Sequence, residues 1–246
     1  MIPKIIHYCW FGRGEMPELV QNCIASWHIH MPNWEYRLWS EENFDIASAP
    51  QYVREAYEAK KYAFVSDYVR LWALELEGGL YMDVDFEVYK SFDDLMEQYA
   101  AFAGYEGSKK TPVMMGVLAA EAHHPWIQSM MASYEDRRFI KEDGSLDMTP
   151  NTSYFYHWMT AQRFVADGVE KDWNGVHILP VECFCPGLTT GENIRSSRTY
   201  CEHKGLHSWS GEGGWKAKLL SIFPPSLKTK LIKLKRKLIR QTKSVV

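Results

Sequence analysis

The stretch Ser66-Asp67-Tyr68-Val69-Arg70-Leu71-Trp72-Ala73-Leu74 reads as a helix, Gly78-Gly79 as its stop, and Leu80-Tyr81-Met82-Asp83-Val84-Asp85 as a strand. A helix that halts at paired glycines and runs straight into an apolar strand restricts the chain to layered α/β architectures. Alternate strand residues share a face, so Tyr81, Asp83 and Asp85 are expected to point one way and Leu80, Met82 and Val84 into a core. Two carboxylates spaced roughly 6–7 Å apart at a strand end can hold one hard divalent cation. Magnesium and manganese need only one or two carboxylates when substrate phosphates complete the shell.

The rest of the chain keeps the same rhythm. Lys4–Phe11 reads as a first buried strand ended by Gly12 and Gly14, and Pro17–His30 as a helix with Leu19, Cys23, Ile24 and Trp27 on one face. Trp34–Trp39 alternates as a second strand, and helices follow at Gln51–Lys60 and Ala63–Glu77. Further on, Val113–Ala120 is strand-like, and His124-Pro125-Trp126 opens a helix to about Arg137. A polar loop at Lys141–Thr149, a helix at Ser153–Phe164 and a short strand at Val176–Pro180 complete the reading. Strands alternating with helices at this spacing predict an α/β fold with a mostly parallel, Rossmann-like central sheet flanked by helices. Ligands of such sheets bind beyond the carboxyl ends of the strands. Trp10, Trp39 and the Asp83-Val84-Asp85 segment all fall at such ends.

Of 246 residues, 46% are hydrophobic, which suffices for a sizeable core and excludes a disordered chain. Ten Trp and 14 Tyr suit pockets that stack flat ligands as well as core packing. No apolar run reaches the length of a membrane span. The N-terminal residues enter a strand directly, which leaves no room for a signal peptide. Five cysteines at irregular spacing fit reduced structural thiols in a cytoplasmic protein.

The net charge of −3 conceals an asymmetry. Residues 226–246 hold eight of the 28 basic residues and no acidic one, which leaves 20 basic against 31 acidic, or −11, for the remainder. An acidic body argues against nucleic acid as a partner. In the tail, Leu227, Leu231, Leu234 and Leu238 form one stripe among cations, the pattern of a basic amphipathic helix suited to an anionic membrane surface. The expected division is a catalytic domain over 1–225 and this tail over 226–246, with the protein peripheral at the inner face of the cell membrane.

Asp67 and Arg70 sit three apart, on one face of the helix that leads into the carboxylate strand. As a surface ion pair they would contribute only a few tenths of a kcal/mol. Their helix is otherwise rich in Phe64, Val65, Val69, Leu71, Trp72 and Leu74, so both charges are read as part of the site at the strand end.

Ile2–Gly12, Ala63–Arg70 and Gly78–Asp85 together resemble glycosyltransferase family 32, the DXD sugar-binding family of capsular-polysaccharide and yeast-type mannosyl- and galactosyltransferases. The same elements are similar to the catalytic domains of large glucosylating toxins. The resemblance is strongest over residues 1–95, extends to about 216 and omits the tail. It implies a GT-A fold, a UDP- or GDP-sugar donor, Mn2+ or Mg2+, and transfer of a hexose with retention. Its acceptor would be a glycan or lipid-linked saccharide, in capsular or other surface-glycan synthesis.

The resemblance also implies roles. Trp10 matches the aromatic that stacks on the nucleotide base, and Asp67 with Arg70 the pair that holds donor-sugar hydroxyls and diphosphate. Asp83, beside Tyr81, would touch ribose and sugar and assist the metal, and Asp85 would ligate it directly. Residues 207–215 resemble the segment that closes the family's site, with an insertion: His207 becomes a metal ligand and Trp209 or Trp215 a diphosphate contact. Asn151 lies where the family places a polar loop near the sugar, and His123-His124 where it lines the acceptor side. Two alternatives stay open on the residues alone, a phosphatase of the haloacid dehalogenase type and a non-catalytic carbohydrate-binding module. The 82 residues before Asp83 fit the first poorly, and the second does not account for Asp67, Arg70 and the Asp pair together.

Overall fold

The computed structural model describes residues 1–107, 113–187 and 195–205. His207, Trp209, Trp215 and the basic tail lie outside the described residues.

The chain runs β1 (Ile5–Cys9), α1 (Glu18–His30), β2 (Glu35–Trp39), α2 (Gln51–Glu58), α3 (Tyr62–Glu77), β3 (Gly79–Met82), β4 (Phe86–Val88), α4 (Asp93–Gln98) and β5 (Ala101–Tyr105). It continues through β6 (Val113–Ala120), α5 (Pro125–Ala132), α6 (Asn151–Ala161), β7 (Lys171–Trp173), β8 (Val176–Leu179), α7 (Val181–Phe184) and β9 (Cys201–His203). Seven strands form one sheet in the order β2-β1-β3-β6-β5-β8-β7, and β4 pairs with β9 in a second, two-stranded sheet. The β2-β1-β3 group and the β5-β8 pair are parallel, and β6 joins the two groups by antiparallel pairing on both sides. The α/β expectation is met.

Helix α3 packs against β1, β3 and β6. Val65, Val69, Leu71, Ala73 and Leu74 of α3 are fully buried, as are Leu80, Tyr81 and Met82 of β3. Strand β3 is therefore buried on both faces, and the one-sided core expected for Leu80 and Met82 takes in Tyr81 as well. Strands covered on both sides read as continuous apolar runs rather than alternating ones.

The Gly78-Gly79 stop has a steric cause. Gly78 has φ +63° and Gly79 φ +116°, a region that side chains rarely enter. A Cβ at Gly78 would stand 2.6 Å from the Ala122 nitrogen, and one at Gly79 2.7 Å from the Ile5 carbonyl oxygen. His7, fully buried on β1, fastens this turn: one ring nitrogen lies 2.8 Å from the Gly78 carbonyl and the other accepts from Trp39 Nε1 at 3.1 Å. A carbonyl only accepts, so His7 is the neutral tautomer with its proton on Nε2.

All five cysteines are buried and unpaired, consistent with structural thiols. Among the described residues no helix is long and apolar enough to cross a membrane.

Candidate functional site

Asp83 and Asp85 do not lie on the strand itself. Strand β3 ends at Met82, and the two carboxylates occupy a turn closed by Phe86 N donating to Asp83 O at 3.2 Å. The backbone of Asp83 still donates to Gly116 O at 2.8 Å, which holds the turn against β6. Strict alternation therefore does not place Asp85 as the sequence suggested; turn geometry does.

Arg70 organises the site from α3. Its Nη2 lies 2.9 Å from Asp67 Oδ1 and 3.4 Å from Asp83 Oδ1. Its Nη1 donates to the Met115 carbonyl, its Nε to Ser66 O at 3.2 Å, and its guanidinium stands 4.6 Å from the centre of the Tyr81 ring. The Tyr81 hydroxyl donates to Asp83 Oδ1 at 2.8 Å. A fork of fixed donors suits such simultaneous contacts, which a lysine could not reproduce. Arg70 and Asp67 are only 5% and 8% exposed. Burial pushes the Asp67 carboxyl up to about 6 against the opposing charge of Arg70. Burial also raises Asp83, again opposed by Arg70.

Asn151 opens α6 and is 2% exposed. Its amide donates to the Asp67 carbonyl at 2.8 Å and its oxygen accepts from Tyr134 at 2.7 Å. Its place is behind Asp67, where it fixes the backbone of α3. Trp10 follows β1 at the same sheet edge and is half-buried, with its indole N–H on Gly14 O at 2.6 Å. The histidine pair falls elsewhere. His123-His124 follows the far end of β6, where Ala120 pairs with Gly79 at the amino end of β3. There His124 caps α5, and His123 meets Glu75 at 2.8 Å. Acceptor-side lining at the Asp83 edge is thus not their position.

A histidine that sequence reasoning missed does reach the site. The antiparallel pairing of β9 with β4 sets His203 opposite Phe86, with the Lys204 nitrogen donating to Asp85 O at 2.8 Å. His203 Nε2 stands 3.0 Å from Asp85 Oδ2. Burial opposes the charged imidazole, but the Asp85 hydrogen bond and charge raise its pKa above the ordinary histidine value. Only the position of His203 four residues before His207 hinted at it.

These donors fit a divalent cation. Carboxylate oxygen and imidazole nitrogen suit manganese, and both manganese and magnesium accept few protein ligands when phosphate and water fill the shell. Among the described residues no group of three or more His, Cys, Asp or Glu side chains is placed to hold a metal ion. The Asp85–His203 pair offers two such ligands, and phosphate and water would have to complete the shell.

The family model described as a glycosyltransferase sugar-binding region containing the DXD motif matches residues 17–102. That span contains Asp67, Arg70, Asp83 and Asp85, the residues joined above. Over that span the chain is similar to the DXD glycosyltransferases. An uncharacterised glycosyltransferase of Acanthamoeba polyphaga mimivirus is 24% identical over 162 residues, which cover 62% of this chain and 61% of that protein. Inositol phosphoceramide mannosyltransferase 3 of Schizosaccharomyces pombe is 29% identical over 133 residues, covering 51% of this chain and 35% of that protein. The chain thus spans about three fifths of one relative and a third of the other. Among solved structures, the PaToxG glycosyltransferase has a TM-score of 0.46 at 16% identity, covering 65% of this chain and 70% of its own. The galactosyltransferase LgtC, solved with donor and acceptor sugar analogues, has a TM-score of 0.40 at 14% identity, covering 73% and 74%.

Proposed function

We propose that the protein transfers a hexose from a UDP- or GDP-sugar to a saccharide or lipid-linked saccharide acceptor, with retention of configuration and with Mn2+ or Mg2+ as cofactor. The observation that carries this reading is Arg70 bridging Asp67 and Asp83, one turn from the Asp85–His203 pair, within the DXD region.

Asp85 and His203, assisted by Asp83, would hold the cation. When bound, that cation supplies Lewis-acid neutralisation of the leaving diphosphate. The protein's own part is positioning. Arg70 balances Asp67 and Asp83, so both carboxylates stand oriented in a buried setting and accept hydrogen bonds from donor hydroxyls without rearranging. Tyr81 and Asn151 fix Asp83 and the Asp67 backbone in turn. The half-buried Trp10 offers an aromatic face to the base. Nothing in the described site favours a covalent sugar intermediate, so front-face displacement is the retaining route proposed. The phosphatase and binding-module alternatives lack comparable support, because the family match takes in the Asp67–Arg70 pair together with Asp83 and Asp85.

We further propose, on the sequence alone, that the basic tail brings the enzyme to the cytoplasmic membrane face, where a lipid-linked acceptor would lie, in the synthesis of a surface polysaccharide.

The deciding experiment offers a panel of UDP- and GDP-sugars with Mn2+ and measures release of nucleoside diphosphate, with and without saccharide acceptors. One donor of the panel should be turned over, and chelation should abolish it. Release of inorganic phosphate from simple phosphate esters, with no sugar nucleotide consumed, would replace this reading with the phosphatase.

A further inference from the structure

Strands β1 and β2 run parallel with Cys9 opposite Trp39, so the chain leaves both strands side by side at the carboxyl edge of the sheet, where ligands of such folds bind. Trp10 makes the last bond of this ladder, its backbone nitrogen donating to Trp39 O at 2.9 Å. The chain then turns at Gly12, whose φ of +96° is one that side chains rarely adopt. This turn is fitted against the start of α3: a Cβ on Gly12 would stand 2.4 Å from the Tyr62 ring. Phe11 is buried beside it and meets Phe44 edge-on at 6.2 Å.

The segment after β2 supplies the fastening. Ser40 N donates to Asn43 Oδ1 at 2.9 Å, Asn43 Nδ2 donates to Leu38 O at 2.7 Å, and Phe44 N donates to Ser40 O at 3.0 Å. An asparagine that bonds its neighbours' backbone in this way makes a firm turn. The turn carries the half-buried Glu41, whose Oε1 accepts from Gly12 N at 2.7 Å and from the Tyr57 hydroxyl at 3.1 Å. A carboxylate acceptor makes these bonds stronger than neutral ones. It also decides what the Gly12 turn can serve. Loops that cradle phosphate offer their N–H groups to the anion, whereas the Gly12 N–H already faces a negative charge. The turn therefore suits the uncharged base end of a nucleotide, and the diphosphate belongs at the Asp85–His203 pair.

We propose that Glu41 is a positioning residue: it holds the Gly12 turn so that Trp10 is set for the nucleobase before the donor arrives. Glu41 thereby governs affinity for the base end of the nucleotide and leaves the phosphate end alone. A loop ordered in advance loses less conformational freedom on binding. The proposal rests on the glycosyl-transfer reading, with Trp10 as the base platform.

The test measures calorimetric affinity for UDP, GDP and inorganic pyrophosphate, each with Mn2+, in the wild type, Glu41→Ala, Glu41→Gln and Gly12→Ala. Whichever nucleoside diphosphate the wild type binds should bind about tenfold more weakly to Glu41→Ala, the change that goes with one lost hydrogen bond. Pyrophosphate affinity should stay within about twofold, and KM for the sugar nucleotide should rise with kcat kept, the pattern of lost uniform binding. Glu41→Gln keeps an acceptor oxygen for Gly12 and Tyr57 and should remain within about threefold of the wild type. Gly12→Ala forces the turn off the Tyr62 ring and should weaken nucleoside diphosphate selectively as well, through different atoms. Unchanged nucleoside diphosphate affinity in Glu41→Ala would overturn the proposal, as would an equal fall in pyrophosphate affinity. A glutamine variant as weak as the alanine one would also overturn it, because the charge and not the held turn would then be acting. If the wild type binds neither UDP nor GDP, the underlying functional reading falls instead.

Discussion

Gly116 and Asp83 are fitted to one another: the Gly116 carbonyl accepts from the Asp83 nitrogen at 2.8 Å, and a Cβ on Gly116 would stand 2.8 Å from Asp83 Oδ2 and 2.9 Å from the Phe86 ring. Gly116→Ala should therefore push the carboxylate out of reach of Arg70 and Tyr81. Overpacking costs about 1–3 kcal/mol, and here the strain falls on the site. Gly104→Ala is the comparison, because its Cβ would meet the Phe184 ring at 2.5 Å. Donor hydrolysis should fall at least about tenfold in Gly116→Ala, a loss of about 1.4 kcal/mol, while Gly104→Ala lowers Tm with near-normal turnover. Equal activity losses at equal Tm shifts would contradict the assignment.

Arg70 is expected to matter to the fold as well as to the site. Removing one partner of a buried ion pair leaves an uncompensated charge, at about 3–5 kcal/mol. Arg70→Ala should show a loss of that order in urea unfolding. Arg70→Lys keeps the charge but loses the fork, so it should retain more stability than activity. A lysine variant with full turnover would show that the simultaneous contacts to Asp67 and Asp83 are dispensable.

Removal of the metal ligands should separate binding from folding. Asp85→Ala and His203→Gln should each weaken Mn2+ binding at least about tenfold, the lower range for disturbing a metal site, and abolish metal-dependent donor binding. Circular dichroism should remain native. Wild-type Mn2+ affinity in His203→Gln would return the ligand role to another residue, with His207 the first to try.

The basic tail gives an expectation of a different kind. Each cation near an anionic leaflet contributes about 1 kcal/mol, and residues 226–246 hold eight of them. The full chain should co-sediment with phosphatidylserine vesicles at low salt and release as salt rises. Deletion of 226–246 should abolish this without changing donor hydrolysis. Undiminished sedimentation of the truncated chain would remove the membrane role from the tail.

Parts of this site were legible because they rest on local signals. The α3 periodicity, the Gly78-Gly79 stop and the apolar β3 run each follow from a few adjacent residues, and together they put Asp67, Arg70 and Asp83 in one place. The turn at Asp83–Phe86 was read as strand because Val84 continues the alternation. His203 was invisible for another reason. It arrives on β9, a strand of three residues whose pairing with β4 is long-range, and so short a segment gives no period to recognise. Strand β5 was missed because it reads Ala-Phe-Ala-Gly-Tyr, whose small residues give a weak strand signal.

His7 links the fold to pH. Its Nδ1 accepts from the Trp39 indole and its Nε2 donates to Gly78, so a second proton would have to face an N–H donor. Burial lowers its pKa from 6.5, with only partial compensation from the Gly78 carbonyl. The unfolded chain then binds a proton that the folded chain refuses. Stability from this group is complete above pH 6.5 and is lost as pH falls below it, down to the lowered folded pKa. The slope for one proton is about 1.4 kcal/mol per pH unit. His7→Gln, which keeps a donor for Gly78, should be less stable than the wild type at pH 7.5. Unfolding in urea at a series of pH values should show that deficit shrinking towards pH 5. A deficit constant across the series would mean that His7 binds its proton equally in the folded and unfolded chains, and that burial does not govern it.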